Sequence, residues 1–66
     1  MLDALIVRKL WRVTVSSLFP NDKRVECFYD GLYANEDAAR DAALSKEAFD
    51  HGGATIATVI SVERIR

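Results

Sequence analysis

Apolar and polar positions alternate along Leu10–Phe19 (LWRVTVSSLF), with Trp11, Val13 and Val15 on one side and Arg12, Thr14 and Ser16 on the other. A period of two is that of a half-buried strand. Pro20-Asn21-Asp22 follows as a turn, because proline presets φ and Asn or Asp tolerates tight backbone geometry. Arg24–Tyr29 (RVECFY) alternates again, with Val25, Cys27 and Tyr29 facing one way. Asp30-Gly31 is expected to break that ladder, as a bulge or turn, before Leu32-Tyr33-Ala34. Ala54–Ile65 (ATIATVISVERI) has the highest β-branched content in the chain and reads as a third strand.

Between the second and third strands the period changes. Asn35–Gly53 (NEDAARDAALSKEAFDHGG) opens on an N-cap residue, places Glu36 and Asp37 in the first turn, and continues through strong helix formers. Gly52-Gly53 supplies a left-handed stop. At about 100° per residue, Ala38, Ala42, Ser45 and Phe49 form one stripe with Ala39 beside it. That stripe is expected to lie on the sheet with Phe49 as its anchor. Asp37, Asp41, Leu44 and Ala48 then point outward, which makes Leu44 a candidate apolar anchor within an acidic surface.

The order is β-β-α-β, an α+β fold. A hairpin joins the first two strands, and a right-handed crossover through the helix puts the third strand beside the first. The expected result is a three-stranded, mostly antiparallel sheet in order 2-1-3, with one helix packed on one face. Residues 10–66 form this core within a single domain spanning 1–66, and residues 1–9 read as an N-terminal arm or a strand extension. The second sheet face is only partly polar, since Phe28, Leu32 and Leu18 share it with Glu26 and Thr14. Two open edges and such a face favour association with another surface.

Sixty-six residues, half of them hydrophobic, stand near the lower limit for one self-sufficient core. Cys27 is the only cysteine, so no intrachain disulfide can reinforce it. A single thiol, no secretory leader pattern and no apolar run of membrane length lead to the expectation of a cytoplasmic protein. The net charge of −1 is unevenly spread. Residues 1–28 carry five basic against three acidic side chains, and residues 35–50 carry five acidic against two basic.

Candidate chemistry is sparse. Cys27 and His51 are the only conceivable nucleophile and base, but a mid-strand cysteine among apolar neighbours behaves as a small hydrophobe. One His and one Cys make no zinc site, and no calcium-loop spacing occurs. No enzyme, metal or cofactor is therefore expected. Two binding surfaces stand out. Glu36, Asp37, Asp41, Leu44 and Glu47 on the helix suit a basic protein partner. Arg8, Lys9, Arg12 and Arg24 with Tyr29 on the sheet suit single-stranded nucleic acid, although the pI of about 5.7 opposes this. A homodimer through the open face or the N-terminal arm is the third reading, and no membrane partner is expected.

A β-β-α-β core with one capped, alanine-rich helix (NEDAARDAALSKEAF) and no catalytic motif resembles small bacteriophage accessory proteins, compact inhibitors of the anti-CRISPR type among them. The resemblance covers Leu10 to Ile65 at the level of architecture. It implies stoichiometric binding to a bacterial protein or nucleoprotein complex, and it carries no binding residues onto this chain.

Overall fold

The turn at Pro20 closes as its residue types require. In the computed structural model, which describes residues 8–66, Asp22 N–H donates to Phe19 O at 2.9 Å and Phe19 N–H to Lys23 O at 2.8 Å. Asn21 Oδ1 accepts from Lys23 N–H at 3.1 Å. Asp22 sits at φ 67°, the left-handed position that follows the turn in a three-residue hairpin loop. The hairpin joins β1 (Lys9–Leu18) to β2 (Arg24–Tyr33), α1 (Glu36–Asp50) follows, and β3 (Ile56–Arg64) ends the fold. The sheet order is β2-β1-β3, with β1 antiparallel to both neighbours. Of the expected N-terminal arm, residues 1–7 lie outside the described residues, and Lys9 opens β1.

β2 does not break at Asp30-Gly31. Its register against β1 is continuous from Lys9↔Tyr33 to Leu18↔Arg24. Asp30 stays in the ladder because Arg12 directly opposite clasps its carboxylate. Gly31 stays because the Tyr33 ring folds over it: a Cβ there would stand 2.6 Å from that ring. Trp11, opposite Gly31, donates its indole N–H to Tyr33 O at 2.9 Å. An aromatic covering a strand glycine restores the packing that the missing side chain forfeits. The bulge falls in β3 instead, where Thr14 pairs with Ser61 and Val15 with Val59, leaving Ile60 as the extra residue.

The helix is capped at both ends as its sequence requires. Asn35 Oδ1 accepts from Ala38 N–H at 2.8 Å. At the other end Gly53 N–H donates to Ala48 O and Gly52 N–H to Phe49 O, with Gly52 at φ 61°. Its rotation differs from the expected one by roughly a third of a turn. Ala39, Ala43 and Glu47 are buried, while Phe49 is 87% exposed and anchors nothing. Leu44 is half-buried and packs against the core, so it is not an outward anchor either. Ala39 and Ala43 let the helix axis approach the central strand closely. Glu47, next on that line, then reaches a polar notch in β1.

Val13 and Val15 meet Ala39 and Ala43 in the buried core, and Trp11, Tyr29, Tyr33, Leu44, Ala57, Val59 and Val62 pack around them. Odd positions of β1 and β2 thus face the helix, and even ones face away. Thr14 and Ser16, expected on a polar face, are also buried, at 9% and 4% exposure. They are short residues on the central strand, shaded by longer side chains on both neighbours.

Candidate interaction surface

The face of the sheet opposite α1 is built in cross-strand rows. Leu32 pairs with Leu10, whose carbonyl accepts from Ile65 N–H at 2.7 Å. The next row is Asp30, Arg12 and Glu63, then Phe28, Thr14 and Ser61 with bulged Ile60 beside them. Glu26, Ser16 and Thr58 come next, and Arg24, Leu18 and Ile56 close the face. Four large apolar side chains stand out of it more than half exposed: Phe28 at 63%, Leu32 at 60%, Ile56 at 69% and Ile60 at 53%. The short Thr14 and Ser16 between them leave a shallow trough along β1, flanked by the apolar residues of β2 and β3.

The charges on this face are partly satisfied within it. Arg12 binds Asp30 bidentately, Nε to Oδ1 and Nη2 to Oδ2, both at 3.0 Å. Those hydrogen bonds hold the Asp30 carboxyl below its usual range, and burial opposes them only in part. An exposed pair of this kind contributes little to stability, but it fixes two side chains in place. Arg24 Nη1 donates to Ser16 Oγ at 3.2 Å.

The acidic helix surface is smaller than its composition suggests. Asp37 and Asp41 are exposed, and Glu36 and Asp37 both lie near Arg40, at 3.1 and 3.9 Å. Leu44 turns toward the core, and Glu47 is 2% exposed. Two of the five residues read as a partner-binding helix face therefore belong to the interior. The nucleic-acid set divides as well. Arg12 and Arg24 lie on the open face, whereas Tyr29 faces the helix and donates to Asp50 at 3.4 Å. Burial, with Cys27 next to it, pushes the Tyr29 hydroxyl up to about 12, so it stays protonated. Arg8 is exposed and borders a shallow cleft with Leu32, Tyr33, Ala34 and Ala38, at the end where Lys9 begins β1.

Glu47 is the polar centre of the covered face. Its Oε2 accepts from Ser17 Oγ at 2.6 Å, contacts His51 Nδ1 at 3.0 Å and accepts from Thr55 Oγ1. Burial pushes this carboxyl up, but the hydrogen bonds outweigh it, and the net position is below the ordinary glutamate value. Serine, histidine and carboxylate meet here in an order unsuited to nucleophilic catalysis. The carboxylate stands between the hydroxyl and the imidazole, whereas a nucleophile needs the base against its own proton. His51 is also held edge-on by Phe19, with ring centroids 5.1 Å apart. The cluster ties the helix end to β1 and to the α1–β3 loop. Two signals for it stand in the sequence: Ser17 continues the inward series Trp11, Val13, Val15, and Glu47 lies four residues before His51.

No family model matches the chain, and no similar protein was found among curated sequences or solved structures. No helix among the described residues is long and apolar enough to cross a membrane. No group of three metal-ligating side chains gathers among them.

Proposed function

We propose that this chain is a small, non-enzymatic protein-interaction module whose contact surface is the open face of the sheet. The observation that carries this reading is the concentration of Phe28, Leu32, Ile56 and Ile60, all more than half exposed, on the sheet face opposite α1. An apolar patch bordered by Arg12, Asp30, Glu26 and Glu63 has the anatomy of an interface, apolar within and polar at its margin. The small core supports the same reading, because four fully buried apolar residues among the described ones leave a domain that gains from burying more surface on a partner. The resemblance to compact phage inhibitors names a bacterial protein or nucleoprotein complex as the class of partner.

The face and the helix are separable by mutation. Phe28→Ser/Ile60→Ser removes apolar area from the sheet face without touching the core, and Asp37→Lys/Asp41→Lys reverses the exposed helix charge. In affinity capture from bacterial lysate, the first variant is expected to lose a partner that the second retains. Retention by the sheet variant together with loss by the helix variant overturns the assignment.

A further inference from the structure

Among the described residues β2 and β3 form the two edges of the sheet, and they are not equivalent. β3 is interrupted by the bulge at Ile60, a device that spoils an edge for pairing. β2 runs ten residues in unbroken register, without proline or bulge, and alternates exposed and half-buried positions throughout. We propose that β2 is the pairing edge of a homodimer, in which two copies join antiparallel along residues 24–30 with Cys27 facing its counterpart across the two-fold axis.

The hydrogen-bond phase sets which groups are available. Phe19 N–H donates to Lys23 O, so Lys23 and, by alternation, Val25, Cys27, Tyr29 and Gly31 turn their backbone groups toward β1. Arg24, Glu26, Phe28 and Asp30 turn theirs outward. Centring the pair on Cys27 matches Arg24 with Asp30 of the second copy and Glu26 with Phe28. All four pairs then use outward groups, giving about eight backbone hydrogen bonds. Cys27 falls at a non-hydrogen-bonded position, where Cα atoms approach to about 4.5 Å, within the range a disulfide spans.

Charge selects this register. Centred on Cys27, the ladder sets Arg24 against Asp30 of the second copy twice, opposite charges directly across the strands. Sliding one step toward the C-terminus sets Glu26 against Asp30, and one step the other way sets Glu26 against itself. Both neighbouring registers thus place like charges in contact. The helices do not obstruct the arrangement. α1 lies over the whole sheet, centred on β1. The two β1 strands would stand three strand spacings apart, about 14 Å, and packed helices need only 8–10 Å, roughly. The edge uses backbone groups and the open face uses side chains, so dimer and partner binding stand or fall separately.

Sedimentation, amide exchange and oxidative cross-linking of the wild-type chain test the dimer. The expected results are a dimer mass at high concentration, slow exchange at the amides of Glu26 and Phe28 that is lost on dilution, and a Cys27–Cys27 link on mild oxidation. Arg24→Glu is expected to weaken the dimer about tenfold, by turning two attractive cross-strand pairs repulsive. Cys27→Ser is expected to keep the dimer and lose the link. A monomer at every concentration overturns the proposal. So does a dimer in which the Glu26 and Phe28 amides exchange freely, or one whose Cys27 thiols do not link.

Discussion

Glu47 is the one acidic side chain buried among the described residues. Its carboxylate gathers Ser17, His51 and Thr55 around a single oxygen. Removing it strands the Ser17 hydroxyl, which has no solvent access. Glu47→Ala is therefore expected to cost about 1–3 kcal/mol, seen as a lower urea midpoint. The pH dependence has a definite sign. A carboxyl whose folded pKa lies below the unfolded one contributes stability that is complete above the unfolded value, and that contribution is lost as pH falls through the folded value. Urea midpoints of the wild type should thus fall on acidification below about pH 4.5, and Glu47→Gln should flatten that part of the decline. An unchanged acid profile in Glu47→Gln would show that other carboxylates carry it. Phe49 makes the opposite case. Because it is 87% exposed, Phe49→Ala is expected to shift stability by no more than about 0.5 kcal/mol. Spacing alone makes Phe49 the natural anchor, since it is the largest apolar residue of the helix. Only the match of Glu47 to an inward hydroxyl shows which side of the helix faces the sheet.

The elements themselves were legible because their ends carry local signals. Asn35 caps α1, and Gly52 and Gly53 terminate it, in each case through backbone groups a few residues away. Asn35→Ala is expected to lower stability by about 1 kcal/mol and leave the fold unchanged, as measured by thermal melting followed at 222 nm. The hairpin offers a gain of similar origin. Asp22 holds a left-handed conformation that glycine adopts without Cβ strain, so Asp22→Gly is expected to raise the melting temperature. A fall instead would mean that Asp22 makes a compensating contact in the loop. The continuation of β2 through Asp30-Gly31 was not legible. A lone Asp-Gly is a turn signal, and it is overridden here by Arg12 across the strand and by the Tyr33 ring two residues away. The bulge at Ile60 left no mark at all, because nothing in a β-branched run says where one extra residue will fall.

As a molecule, the chain folds around a core small enough that each buried methyl matters. Val15 is fully buried beside Val13, Ala39 and Ala43. Val15→Ala is expected to cost about 2 kcal/mol, from lost burial and the cavity left behind, a large share of what a domain this size holds. Guanidinium unfolding with an unchanged slope would confirm that the loss is in stability and not in compactness. The same small core leaves Phe28, Leu32, Ile56 and Ile60 exposed on the other sheet face. The order β-β-α-β, the sheet order and the helix limits follow from the chain alone, since periodicity, caps and the handedness of crossovers act through near neighbours and simple geometry. Which face of α1 meets the sheet, the burial of Glu47, and the unequal edges of β2 and β3 were decided in three dimensions. Each depends on partners distant in sequence, from 8 residues for Thr55 and Glu47, through 30 for Ser17 and Glu47, to 47 for Thr14 and Ser61 beside the bulge. Local patterns cannot encode those distances, and side-chain size and hydrogen bonding at the packed interface choose among the rotations and registers that the patterns leave equal.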